Sequence, residues 1–209
     1  MTDFTLNNLR RTPTQARSRD RLNRVLDAAQ KVLSQEGADA FSTTRIAQVA
    51  GVPVGSVYHF FADKEAIVDA VALRYWSRFA DLVEGLADLD ERDPLEDPAR
   101  AVLDSLAAGF RSEPGFRALW YSPLRTQRVR DATRVTRAAF GAALERILAV
   151  HWPDADLDAL ERAARMVVLL GDGLLREAFR LHPDGDEEVL AEASLALDGY
   201  LAARLGLRA

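Results

Sequence analysis

The chain has 209 residues, of which 48% are apolar, 28% charged and 8% aromatic, and its formal net charge is -5. That is enough for one large globular domain or a small one joined to a larger, and no apolar run reaches the roughly 18 residues of a membrane span. There is no cysteine, and the only histidines are His59, His151 and His182; disulfides, thiolate nucleophiles and cysteine metal sites are excluded, and neither a metal nor a cofactor is expected.

The N-terminus carries Arg10 and Arg11 without an apolar core after them, so it does not read as a secretory signal, and the expected compartment is the cytoplasm. Charge is unevenly spread. Residues 1–64 hold nine Lys and Arg against six Asp and Glu, whereas residues 65–209 hold 18 against 26. Within 10–24, Arg10, Arg11, Arg17, Arg19, Arg21 and Arg24 face only Asp20. A basic front end on an acidic body suits a polyanion partner; on charge alone, a solvated arginine-rich helix face is an equal alternative.

In chain order, a first helix is predicted over 14–36. Leu22, Val25, Leu26, Ala29, Val32 and Leu33 form its stripe, Thr12 or Thr14 its cap and Gly37 its stop. Short amphipathic segments follow at 43–50, with Ile46, Val49 and Ala50 inward, and at 54–61, with Val57, Phe60 and Phe61 inward. Asp63 can cap a longer helix running towards Leu86. The acidic, two-proline tract 87–98 reads as a surface connection. Helices are then predicted at about 98–112, 114–121, 125–150, 157–181 and 187–205. No run combines period-two alternation with β-branched residues, so the fold class is all-α with about nine helices.

The stretch from Phe41 to Ile67 carries the chemistry. Two short helices joined by Gly51-Val52-Pro53 have helix-turn-helix dimensions. Gly51 can supply a positive φ, Pro53 suits the entrance of the second helix, and Ala47 is small enough for the helices to cross closely. The second helix then serves as a probe for the major groove. Its outward residues are Val54, Gly55, Ser56, Tyr58 and His59: Val54 suits a thymine methyl, Ser56 a base edge, and Tyr58 and His59 phosphate oxygens. Ser42, Thr43 and Thr44 offer hydroxyls and N–H groups to a phosphate, and Arg17, Arg19, Arg45 and Lys64 complete the candidate DNA contacts. Taken singly, Ser42 or Thr43 also reads as a plain helix cap, and Tyr58 as a packing residue.

The motifs TTRIA, AGVPVGSVYHFF and DKEAI resemble the DNA-binding signature of the tetracycline-repressor (TetR) family of bacterial regulators. The resemblance covers about 14–67, and Ile46, Ala47, Ala50, Gly51, Val52, Gly55, Tyr58, Phe60 and Lys64 match it. Pro53 stands where that family often has serine, removing a hydroxyl, and Phe61 where a polar residue is commoner. The resemblance implies a homodimer, a palindromic double-stranded DNA operator and a C-terminal domain that senses a small-molecule effector and releases a repressor. The domains expected are a basic arm over 1–13, a DNA-binding domain over 14–64 and a ligand-binding and dimerisation domain over 65–209.

The last two helices are apolar over more than one face, so one side is expected to meet a second subunit; Val167, Leu170, Leu174, Leu195, Tyr200 and Leu201 are the candidates. Trp76, Phe79, Phe110, Phe116, Trp120, Tyr121 and Phe140, with Asp104 and Asp172 as polar anchors, are candidate pocket residues, each aromatic being equally readable as ordinary core. Asp172 sits in an apolar run and needs a partner: a ligand, an arginine or a helix end. Two other classes remain, a helical ligand-binding or interaction module that does not read DNA, and an all-α enzyme. No nucleophile motif or glycine-rich phosphate loop favours the enzyme, and the acid pairs Asp88/Asp90 and Asp154/Asp156 read as caps.

Overall fold

The structure, a computed structural model, describes residues 15–90, 92–121 and 126–206, apart from the side chains of 128–136. The predicted arm over 1–13, with Arg10 and Arg11, lies outside the described residues, as do the cap candidates Thr12 and Thr14. Nine α-helices and no strand occur among the described residues: α1 (Ala16–Glu36), α2 (Thr43–Ala50), α3 (Val54–Phe60), α4 (Lys64–Asp90), α5 (Pro98–Ser112), α6 (Pro114–Trp120), α7 (Gln127–His151), α8 (Leu157–Ala178) and α9 (Glu187–Leu205).

The chain forms two compact units, one of Met1–Ser77 with Glu113–Thr133, the other of Arg78–Ser112 with Arg134–Ala209. In the first, α1 buries the stripe foreseen from its spacing, with Val25, Ala29 and Val32 fully covered, and packs against α2 and α6. The sequence suggested a break at 64/65. This unit reaches further, because Ile67, Val68, Val71 and Tyr75 on α4 are themselves core residues and α6 lies on α1. Asp63 accepts the N–H of Ala66 at 2.8 Å and caps α4 as foreseen. Arg74 ties α4 to Asp27 of α1 at 2.6 Å.

In the second unit α8 and α9 pack together and both meet α5. Asp156 caps α8 through the N–H of Ala159, and Asp186 caps α9 through those of Glu188 and Val189. The tract predicted as a connection from 87 starts later, because α4 continues to Asp90: Ala87 and Asp90 are buried, and Arg146 of α7 reaches Glu84 at 2.5 Å and Asp88 at 2.6 Å. Asp90 is no helix cap but a fully buried acceptor, taking the N–H of Leu95 at 2.8 Å and facing His151 Nε2 at 2.9 Å. Trp152 donates from Nε1 to the carbonyl of Gly206 at 2.9 Å, joining the ends of α7 and α9. No described helix is long and apolar enough to cross a membrane.

Candidate nucleic-acid interface

α2 and α3 meet through Ile46, Ala47, Val57 and Phe60, all at most 1% exposed, and Phe61 joins them in the core. That explains the apolar residue at 61: the chain is extended there, with its N–H bonded to Val57, and the ring turns inward. Gly51 ends α2 with φ 64° and ψ 37°, a left-handed conformation that a side chain would strain, and its N–H closes onto the Ala47 and Gln48 carbonyls. Val49 and Ala50, expected inward, are only half-buried. With the inward face fixed, the remaining residues of α3 can only point away.

Gly55, Tyr58 and His59 are exposed, Val54 and Ser56 half-buried. A Cβ placed on Gly55 would meet no protein atom within 4 Å, so packing does not require glycine there. Thr43 Oγ1 at the start of α2 lies 3.2 Å from Tyr58 Oη on α3, which brings two candidate phosphate contacts to one place. Ser42 caps α2 by accepting the N–H of Arg45 at 3.2 Å, Thr44 is exposed, and Lys64 opens α4. Arg45 is engaged by Glu36, whose carboxyl the adjacent guanidinium holds below the usual carboxylate range.

The start of α1 is built against its own stability. Its cap residue, Gln15, makes no side-chain bond, and the first turn holds no acid. Arg17, Arg19, Arg21 and Arg24 are all exposed there or just beyond. Cations near a helix N-terminus oppose the helix dipole. An anion at this end would reverse that penalty, and among the described residues of the first two turns only Asp20 carries one.

The aromatic candidates separate into two clusters. In the first unit Trp76 lies 4.8 Å from Trp120 and 5.4 Å from Phe116, ring centre to ring centre, and Tyr75 edges onto Phe116. In the second unit Phe110 lies 5.5 Å from Phe79 and 5.0 Å from Phe179, and Phe140 is buried in that unit too. The Phe79 ring rests on Gly109, where a Cβ would sit 2.5 Å from it. Of the other pocket candidates, Tyr121 is 40% exposed, and Asp104 is exposed on α5 in an ion pair with Arg100 at 2.9 Å. Asp172 finds its partner in Arg137 of α7, with Arg176 3.7 Å away. A groove of about 480 Å³ runs between α7 and α8 beside Ala138, Gly141, Ala142, Val168 and Leu169, and none of the pocket candidates lines it.

α8 exposes Met166, Leu169 and Leu170, and α9 exposes Leu195 at 67%, beside the exposed small residues Ala191, Ala196, Gly199 and Ala203. Val167 and Leu201 are corrected: both face the interior of their own unit and are buried there, one helical step round from the exposed face. Leu174 and Tyr200 are half-buried, and Arg204 lies over the Tyr200 ring.

The fold and this face define a helix-turn-helix protein of the regulator class. The description "Bacterial regulatory proteins, tetR family" fits residues 25–71, and "Tetracyclin repressor-like, C-terminal domain" fits residues 93–205. The chain belongs to the TetR family. It is similar to the HTH-type transcriptional repressor AcnR of Corynebacterium diphtheriae, 28% identical over 176 residues, covering 81% of this chain and 85% of that protein. Against AcnR of Corynebacterium glutamicum the identity is 30% over 102 residues, 46% of this chain, and the match spans only about half, 54%, of that relative. Among solved structures, a TetR-family transcriptional regulator from Streptomyces coelicolor is 33% identical, covering 90% of this chain and 99% of that one, with a TM-score of 0.65. The multidrug binding protein EbrR, complexed with imidazole, is 26% identical over 85% of this chain and 94% of its own, with a TM-score of 0.62.

Proposed function

We propose that the protein is a cytoplasmic, homodimeric transcriptional repressor that reads a palindromic operator and is released by a small-molecule effector, and that it acts as a regulator rather than an enzyme. The observation that carries the reading is the outward face of α3, where Gly55 has open space in front of it and Tyr58 and His59 stand exposed. On this reading Val54, Gly55 and Ser56 meet base edges. Thr43 and Tyr58 share a phosphate, while Ser42, Thr44, His59, Lys64 and the arginines Arg17, Arg19 and Arg45 hold the backbone in register. The exposed faces of α8 and α9 join two copies, so that two α3 helices meet major grooves about 34–36 Å apart on one side of the duplex. The effector role falls to the helices after the reading head, whose buried aromatic residues favour an apolar or aromatic compound; the family neighbour that binds multiple drugs supports this class. Release then follows from the effector's higher affinity for the state that does not fit DNA.

The test is selection of bound duplexes from a random library with purified protein. An enriched inverted repeat is the expected outcome; binding without enrichment, or none by a folded dimer, sinks the reading. Gly55→Ala then separates recognition from folding. Alanine in place of a helical glycine should raise stability by about 0.5–1 kcal/mol. The same methyl, pointing at the groove, should weaken binding to the selected duplex roughly ten-fold, in line with the loss of one base-pair contact. Equal affinity would remove Gly55 from the contact surface.

A further inference from the structure

Arg45 belongs to the candidate phosphate-binding set, yet a carboxylate of the same unit already grips it. Its Nε donates to Glu36 Oε2 at 2.8 Å and its Nη2 to Oε1 at 2.8 Å, while Nη1 reaches Gln48 Oε1 at 3.3 Å. Glu36 is the last residue of α1 and Arg45 stands in the first turn of α2, so the pair bridges the turn between them. It is not buried: the two side chains are 31% and 44% exposed. By contrast, Arg17, Arg19, Arg21 and Arg24 form no ion pair among the described residues.

We propose that Glu36 is a specificity-determining residue: it neutralises Arg45 in the free protein and so weakens attachment to DNA backbone in general more than attachment to the operator. The inference rests on α1–α3 being the DNA-reading unit. A phosphate approaching Arg45 on random DNA meets a carboxylate of its own sign and gains little. Non-specific binding is made almost wholly of such phosphate contacts, so removing one lowers it directly. On the operator, base contacts from α3 and the other phosphate contacts share the task of fixing the register, so it does not hang on Arg45 alone. A guanidinium has five N–H donors, and the outer ones on Nη1 and Nη2 remain for a phosphate held in place by that register. The loss is therefore smaller there, and the ratio of specific to non-specific affinity rises.

The experiment uses the 209-residue chain with a fluorescent random-sequence duplex of about 30 base pairs and, beside it, the inverted repeat selected from the library, the affinity for each being followed across a salt series. On the random duplex Glu36→Gln should steepen the slope of log affinity against log salt by about 0.9, the value of one added phosphate contact, and tighten binding roughly five-fold at about 0.15 M salt. On the inverted repeat the gain should be smaller, and an equal or larger gain there overturns the specificity role. In an Arg45→Gln background the same change should have neither effect. Circular-dichroism melts establish that each variant is folded. An unchanged or shallower slope for Glu36→Gln, with wild type binding normally, overturns the assignment to Glu36 alone. So does an equal gain in the Arg45→Gln background, which would be a general charge effect. If neither wild type nor Glu36→Gln binds any duplex at low salt, the DNA-reading assignment falls with it.

Discussion

Replacing Leu170 and Leu195 together with glutamate should break the proposed homodimer into monomers while leaving the helices intact. Both side chains are exposed on the single chain, Leu170 on α8 and Leu195 on α9, with Met166 and Leu169 beside them. Burying a leucine fully contributes about 1.5–3 kcal/mol, and a two-fold interface counts each residue twice, so the double change removes a large share of the association energy and places four carboxylates there. Neither leucine supports the interior of its own unit, so the single chain should keep its helical circular-dichroism signal. Binding to the selected inverted repeat should fall by at least about 100-fold, because the second half-site is then no longer held at the millimolar effective concentration that linkage provides. Sedimentation velocity checks the first outcome and a duplex titration the second. A dimer that survives both substitutions would place the contact on another face.

Which leucines face outward was only partly legible in the sequence. On α9 apolar residues surround the helix, so spacing alone cannot say which line is inward, and Leu201 was placed outside although it is buried. On α8 the continuous apolar run leaves the inward line open in the same way: Leu170 is exposed as expected, but Val167 is buried where its neighbour Met166 is exposed. The reading head was easier. Ile46 and Ala47 stand between Arg45 and Gln48, and Val57 and Phe60 are spaced by Tyr58 and His59, which sets the inward phase, and glycine marks the left-handed stop at 51. Pairings distant in sequence left no local signal. Glu36 and Arg45 are nine residues apart across a turn, and Asp172 meets Arg137 across 35. The aromatic set left no local signal of its grouping either: composition shows that rings are present, and only packing shows that Trp76, Phe116 and Trp120 cluster in one unit and Phe79, Phe110 and Phe179 in the other.

Asp90 is where a single substitution should weaken the second unit most. Read as a loop acid, it is instead 0% exposed at the end of α4. Its Oδ1 serves two groups at once, the N–H of Leu95 at 2.8 Å and His151 Nε2 at 2.9 Å, while Oδ2 is buried with no partner. A carboxylate so placed joins the end of α4, the segment leading to α5 and the end of α7. Asp90→Ala strands two half-buried partners around a fully buried position and leaves a small void, and the expected loss is about 3 kcal/mol. Asp90→Asn keeps an amide oxygen for Leu95 and His151 and has the same shape, so its loss should be nearer 1 kcal/mol. Urea denaturation at one fixed protein concentration measures both, the concentration being held because association adds to apparent stability. The difference between the two variants isolates the acceptor from the packing: if alanine and asparagine cost the same, the oxygen contributes nothing and the site is held by its apolar surroundings. If both fall within about 0.5 kcal/mol of wild type, the range of an ordinary surface change, the buried junction does not hold these three segments together.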